Sequence, residues 1–198
     1  MAGLTQALDQ GQVTARLGAQ LGATPAEAAK YGKIAGQLYS KGVTGDFQQA
    51  ADAIRATMTA GLAPPGATTA QLEQISTKAA DLANTFEVDL GQATNAVGQM
   101  MKTGLAANAD EAFDVMTRGF QVMGPRADDL ADTFNEYSVQ FQNMGLSAEM
   151  ATGILAQGMK AGARDTDLVA DTIKEFSLEA VQGGEKVRGG FELIGLSA

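Results

Sequence analysis

Residues 144–148 read Met-Gly-Leu-Ser-Ala, and a near copy, Ile-Gly-Leu-Ser-Ala, forms residues 194–198. Ser147 is a candidate N-cap, because its hydroxyl can accept from the free backbone N–H groups of a following helix, and Leu146 can pack against that helix. Ser197 stands in the same position in the second copy. We interpret the pentapeptide as a boundary between helical units. We therefore expect that the chain was cut from a longer protein in which Ser197 caps a further helix, and that its last residues are loosely ordered.

The same helix punctuation extends along the chain on both sides of Ser147. A capping residue, several turns of apolar residues at helical spacing and a glycine recur, while strand-like alternation is missing. Residues 24–27, Thr-Pro-Ala-Glu, form a capping-box pattern with proline at the first helical position. Residues 108–111 form another, and Asp89 has Gln92 in the reciprocal position. Further helices are expected to begin near Asp46, Thr69, Ser147 and Asp165.

Apolar stripes at helical spacing predict an all-α fold. The largest aromatic stripe consists of Leu130, Phe134, Tyr137 and Phe141. The first helix, over residues 4–19, is expected to be weak and broken near Gly11. We predict a compact array of about nine short helices, packed as degenerate helical hairpins because no single pair can bury its stripe alone.

Two internal recurrences support the hairpins. The stretches 78–86 and 126–134 are similar, and a glycine preceded by lysine separates two capped helices at three places. The three glycines are Gly42, Gly104 and Gly162. Each is followed eight residues later by an alanine, at Ala50, Ala112 and Ala170 respectively.

The sequence Pro64-Pro65-Gly66 is the clearest internal break. We expect an N-terminal helical segment over residues 1–66. A helical hairpin array then covers residues 67–198 and is truncated at its C-terminus.

Composition excludes most classes of active site. The 198 residues contain neither histidine nor cysteine, so imidazole bases, thiol nucleophiles and disulfides are absent. The net charge of −9 with 14 scattered basic residues disfavours nucleic-acid binding. No apolar run is long enough to span a membrane. We expect no enzymatic activity, no catalytic, cofactor-binding or metal-binding residues, and no small-molecule substrate.

Three acidic clusters could in principle serve acid–base chemistry or bind a hard cation. Most of their members fall in the first turn of a predicted helix, where negative charge complements the helix dipole, so we interpret them as capping groups. The glycine pairs 32/36 and 158/162 are interpreted as sites of close helix packing, and the methionines as core residues. The clusters are 110/111/114, 128/129/132 and 165/167/171/175.

Several stretches, taken in order, resemble tail tape measure proteins of long-tailed phages, particularly those of actinobacterial phages. They are KAADLANTFEVDLGQATNAVGQMMKTGLAANADEAFDVMTRGF, DLADTFNEYSVQFQNMGLSAE, MKAGARDTDLVADTIKEFSLEA and FELIGLSA, with QLYSKGVTGDFQQAADAIRATM as a looser match. The resemblance covers about residues 70–198.

The resemblance implies a virion structural protein that is made in the host cytoplasm and lies in the lumen of the phage tail. It implies roles in tail tube assembly, tail length determination and genome ejection, with tail tube and tail tip proteins as partners and possible self-association. A non-enzymatic helical-repeat adaptor that binds a protein partner remains the alternative.

Overall fold

The computed structural model describes residues 2–182 and confirms the predicted all-α class. Every regular element within these residues is helical, and a short 3-10 helix over Gly124–Ala127 precedes α7. The nine α-helices of this part of the chain are α1 (Ala2–Gln20), α2 (Pro25–Ser40), α3 (Phe47–Thr59), α4 (Thr69–Phe86), α5 (Leu90–Thr103), α6 (Ala109–Met123), α7 (Leu130–Asn143), α8 (Ala148–Lys160) and α9 (Thr166–Gln182).

The helices stack in two rows. Helices α2, α4, α6 and α8 contact one another in succession and form the even row, while α1, α3, α5, α7 and α9 form the odd row. Successive helices along the chain also pack on one another and join the two rows, with α7 and α8 as the exception. This is the contact pattern of a helical-repeat array, in which stacking neighbours buries a continuous core.

Two apolar clusters fill the space between the rows. The smaller cluster joins α1, α2 and α3 to Leu72 of α4, and includes Ile34, Leu38 and Ile54. The larger cluster runs from Ala60 to Ala170 and takes residues from α4 through α9. The predicted boundary at residue 66 lies close to the change from one cluster to the other, and remains a prediction.

The aromatic stripe of α7 forms the centre of the larger cluster. Leu130, Phe134 and Phe141 have no exposed surface, and Tyr137 is only 8% exposed. The rings of Phe134 and Phe141 meet edge to face with centroids 5.9 Å apart. This stripe packs α7 between α5 and α9, and the contact between α5 and α7 is the most extensive of any helix pair in the described residues.

The three predicted hairpin glycines all lie in turns that require a left-handed backbone. Their φ angles are +73° at Gly42, +80° at Gly104 and +112° at Gly162. The alanines eight residues later are fully buried, where each allows close approach of its helix to the core. These alanines are Ala50, Ala112 and Ala170.

The hairpins recur every three helices, whereas the stacking recurs every two. They join α2 to α3, α5 to α6 and α8 to α9, so successive hairpins begin alternately in the even row and the odd row. The second recurrence does not mark equivalent places: residues 78–86 end α4, whereas residues 126–134 begin in the 3-10 turn and enter α7.

Ser147 caps α8 as predicted. Its Oγ accepts from the backbone N–H of Met150 at 3.2 Å, and Gly145 before it has a φ of +71°. The backbone N–H of Leu146 donates to the carbonyl of Phe141, which closes the end of α7. The first copy of the pentapeptide is therefore a helix–helix boundary. The second copy, with Ser197, and the expectations about the chain's last residues lie outside the described residues.

Three local predictions need correction. Helix α1 is continuous through Gly11, because a helical glycine costs only about 1 kcal/mol and burial of Leu17 against α2 and α3 outweighs that cost. Asp89 caps α5, but the side chain of Gln92 turns to Asp132 instead of returning to its own helix start. Asn108 caps α6, but Glu111 accepts from the backbone N–H of Ala107, one residue earlier than a capping box requires.

The glycine pairs pack closely at their first members. A Cβ on Gly32 would lie 2.7 Å from the side chain of Thr14, and one on Gly158 would lie 2.6 Å from Val169. Gly32 thus lets α2 approach α1, and Gly158 lets α8 approach α9. The second members contribute less contact, and Gly162 belongs to the turn described above.

Candidate functional site

Polar side chains connect the helices within each row at a regular interval. In the even row, a hydrogen bond joins Gln74 to Asp110, which lie 36 residues apart in the sequence. Another joins Lys30 to the backbone carbonyl of Ala67, 37 residues later. In the odd row and its turns, hydrogen bonds join residues 38 and 40 apart, at Asp129 with Asp167 and Gln92 with Asp132. Such an interval is typical of two-helix repeats, which commonly run from about 33 to 47 residues.

The outer surface of the even row carries a series of cation–carboxylate pairs. Lys41, at the end of α2, pairs with Glu73 of α4. One step further along the row, Lys78 of α4 lies between two carboxylates of α6, with its Nζ 2.9 Å from Asp110 and 3.0 Å from Asp114. Each pair joins one helix of the row to the next.

Lys78 is held firmly by its two partners. Its side chain is 31% exposed. Burial alone would lower its pKa, but the hydrogen bonds and charges of Asp110 and Asp114 outweigh burial and raise the pKa above the ordinary value of 10.5.

The corresponding ion pair between α6 and α8, the next two helices of the even row, is not formed. Arg118 of α6 and Glu149 of α8 follow Lys78 and Asp110 at nearly the same interval along the chain, but they form no ion pair with each other. Arg118 pairs with none of the residues that the structure describes. The two side chains instead border a groove of about 630 Å³ between α6 and α8.

The groove has an apolar interior and an acidic border. Val115, Val122 and Ala156 supply apolar surface, and Gly153 leaves its side of α8 open because a Cβ there would meet nothing within 4 Å. The charged groups along the border are the carboxylates of Glu111, Asp114 and Glu149 and the guanidinium of Arg118.

Large apolar side chains are exposed on both helices that form the groove. Val122 on α6 is 55% exposed and lines the groove. On α8, Met150 is 58% and Ile154 is 38% exposed, although neither lines the groove itself. Apolar surface next to a concave region bordered by polar groups is the usual character of a protein-binding surface.

The other two acidic clusters act mainly as helix caps and cross-links. Asp165 accepts from the backbone N–H of Leu168 at the start of α9, and Asp129 accepts from the backbone N–H of Asp167 at 2.9 Å. Asp171 pairs with Lys174 in the next turn. Asp165 thus caps α9 as interpreted, since it meets a free helical N–H group. Asp129 does not cap its own helix, because the start of α7 has no side-chain cap, and its carboxylate instead reaches the start of α9.

No group of three acidic side chains converges closely enough to hold a metal ion within the described part of the chain. The most strongly perturbed side chain is Tyr137, whose pKa is raised to about 12 by burial and by the nearby carboxylates of Asp167 and Asp171. It lies in the core of the odd row and not in the groove.

Most methionines within the described residues contribute to the core, as predicted. Met100, Met116, Met123 and Met159 are buried, and Met150 is the main exposed exception. As for a membrane, none of the helices between residues 2 and 182 combines the length and the apolar character that a span requires.

Sequence reasoning did not identify the groove. The acidic cluster at residues 110–114 was noticed, but Lys78, Arg118 and Glu149 were not associated with it. The available signal was the near-equal spacing of cations at 41, 78 and 118 and of carboxylates at 73, 110 and 149.

Comparison with known proteins identifies relatives among phage tail proteins. A model of the family described as phage-related minor tail protein matches residues 46–198. The chain is 46% identical over 196 residues to the "Probable tape measure protein" of Streptomyces phage phiC31, and the match covers 99% of this chain and 27% of that protein. No solved structure matches. The resemblance to tape measure proteins is confirmed, and the chain spans about a quarter of the relative's length.

Proposed function

This chain belongs to the phage-related minor tail protein family, and we propose that it is a structural, non-enzymatic module of a tail tape measure protein. The observation that carries the proposal is the 46% identity to the phiC31 protein across 99% of the chain. In this role the module lies in the lumen of the phage tail after synthesis in the host cytoplasm. It takes part in tail tube assembly, in tail length determination and in genome ejection.

The fold supports a folded module more than a straight ruler. A continuous helix would extend 198 residues over roughly 300 Å, at about 1.5 Å per residue. Among residues 2–182 the longest helix has 19 residues, and the helices return repeatedly to stack in two rows. The module thus acts by presenting surfaces to tail tube and tail tip proteins, or to other copies of itself, and not by its extended length.

The net charge of the chain supports a module that does not bind DNA. The net charge of −9 repels phosphate, so a genome leaving through the tail would not adhere to this module. Among the acidic side chains considered for chemistry, Asp165 caps α9, and Asp110 and Asp114 pair with a lysine, which favours a structural role over catalysis.

An alternative is a helical-repeat adaptor that binds one protein partner. The two-row stacking, the polar links at intervals of 36 to 40 residues and the groove between α6 and α8 are the features that favour it. The two functions differ in location, because only the tape measure module must be part of the virion.

Removal of residues 68–182 in frame from the phage gene that encodes this chain tests the proposal. We expect defective assembly or ejection, with any tails that form differing in length by less than the deleted residues would span as one helix, about 170 Å. Electron microscopy of tails gives the length, and complementation with the intact gene is the control. A shortening by the full helical length would contradict the folded module. Absence of the protein from purified virions, tested by mass spectrometry, would favour the adaptor.

A further inference from the structure

The contact between α4 and α6 in the even row shows how a cationic side chain binds to the surface of α6. Lys78 reaches from α4 across to α6 and rests between Asp110 and Asp114. On the same side of α4, Leu82 is buried and Phe86 stacks on Phe120 of α6 with ring centroids 5.0 Å apart. A lysine followed by apolar residues at successive helical turns is therefore what α6 accepts on its α4 side.

On its α8 side, α6 offers the same combination without an occupant among the described residues. The groove has an apolar interior formed with α8, and three carboxylates border it against one guanidinium. Asp114 already pairs with Lys78, so Glu111 and Glu149 are the border carboxylates without a cationic partner among the described residues.

We propose that the groove between α6 and α8 binds an amphipathic helix of a partner protein. The apolar side of the partner helix enters the groove between Val122 and Gly153, where the open position at Gly153 allows close approach of a helix backbone. Lysine or arginine side chains of the partner pair with Glu149 and Glu111, as Lys78 pairs with its two carboxylates at the preceding step of the row.

The acidic border of the groove favours a cationic partner over an anionic one. Nucleic acid and anionic lipid headgroups would meet Glu111 and Glu149 on an acidic protein, so both are repelled. An acidic helix would find only Arg118 as a counter-charge. A cationic amphipathic helix is complementary in both its charged and its apolar face.

This inference depends on the geometry of the even row and not on the proposed function, so binding can be measured whether or not the protein proves to be part of the tail. The probe is a fluorescently labelled helical peptide of leucine and lysine, in which the leucines form one face. Its matched control has glutamate in place of every lysine. Fluorescence anisotropy with the intact chain is expected to show binding of the lysine peptide and at least about tenfold weaker binding of the glutamate peptide.

Variants of the intact chain locate the binding site. Gly153→Leu fills the groove without a change of charge and is expected to weaken the lysine peptide at least about tenfold. Val122→Asn, at an exposed position, makes the apolar interior polar without adding charge and is the second variant should the first not fold. Glu149→Gln should weaken binding and reduce its salt dependence, whereas Glu136→Gln, a matched loss of charge on α7 in the odd row, should leave both unchanged.

Three results would overturn the proposal. Unchanged affinity for the lysine peptide in the folded Gly153→Leu and Val122→Asn variants would exclude the groove. An equal loss of affinity in the Glu136→Gln and Glu149→Gln variants would indicate only a general attraction to an acidic protein. Self-association that Gly153→Leu abolishes, without any binding of the lysine peptide, would identify a second copy of the chain as the occupant; sedimentation velocity measures it.

Discussion

The hydroxyl groups of Thr133 and Thr166 lie 2.7 Å apart with both residues fully buried, and this hydrogen bond joins α7 to the first residue of α9. Thr166→Val should leave the Thr133 hydroxyl without this partner and lower the free energy of unfolding by about 1–3 kcal/mol. Replacement of both threonines by valine should cost less than the sum of the two single changes, because no hydroxyl then remains unsatisfied. Urea unfolding of the two single variants and the double variant gives the coupling energy. Strict additivity would contradict the bond.

Two helical glycines should respond oppositely to alanine. A Cβ on Gly98 of α5 would lie 2.8 Å from the backbone carbonyl oxygen of Ala60, so the helix must move away and we expect a net loss of roughly 1–3 kcal/mol. A Cβ on Gly153 of α8 meets nothing within 4 Å, so alanine should raise stability by about 0.5–1 kcal/mol through helix propensity. Thermal unfolding measures both. A stabilised Gly98→Ala variant would show that α5 does not contact the end of α3 so closely.

Tyr137 should make the protein lose stability in strongly alkaline solution. Its pKa is raised to about 12, mainly by burial and by Asp167 and Asp171, against an ordinary value of 10.0. The folded state therefore retains the phenolic proton longer than the unfolded state. The resulting stability is complete below pH 10 and is lost as pH rises from 10 towards 12, by up to about 2–3 kcal/mol.

The Tyr137→Phe variant isolates this effect. The variant cannot ionise at this position, so its unfolding free energy should fall less steeply above pH 10 than that of the unchanged protein. Contributions from lysines such as Lys78, whose raised pKa also makes stability decline in alkali, are common to both proteins and cancel. Tyrosinate absorbance should show that the group lost in the variant is the one that titrates near pH 12; a group titrating near 10 would contradict the assignment.

The start of α4 distinguishes two adjacent threonines. The Oγ1 of Thr68 accepts from the backbone N–H of Gln71, and the Gln71 side chain accepts from the backbone N–H of Thr68, which completes a capping box. Thr68→Ala should therefore cost about 1 kcal/mol. Thr69→Ala, one residue inside the helix, is the matched control and should change stability by no more than about 0.5 kcal/mol. Thermal or urea unfolding measures both variants. An equal loss of stability in the two would contradict the assignment of Thr68 as the N-cap.

The features that sequence reasoning predicted correctly are mostly local. Thr24, Asp46 and Ser147 each accept from a backbone N–H three residues later. Gly42 and Gly104 follow the ends of α2 and α5 and adopt a left-handed conformation there. In each case the interacting groups are separated by a few residues, so the residue types and their spacing were sufficient.

Two of the three predictions that failed concern residues for which a local preference competed with a distant contact. Gln92 had a local acceptor role available but donates to Asp132, which becomes a neighbour only when α7 packs on α5. Gly11 had a local preference to interrupt α1, and the burial of Leu17 against other helices outweighed it. Tertiary contacts routinely override preferences of about 1 kcal/mol.

By itself the sequence determined the all-α class, the helix boundaries, the buried stripe of α7 and the kinship with tape measure proteins. Tertiary structure alone decided which helices stack, and therefore that Lys78 meets Asp110 and Asp114 while Arg118 and Glu149 border an open groove. The physical reason is the separation along the sequence between the groups that interact. Caps and turns depend on groups three or four residues apart, whereas stacking depends on how surfaces such as Gly98 against Ala60 fit together, and that fit is settled only when the whole core packs.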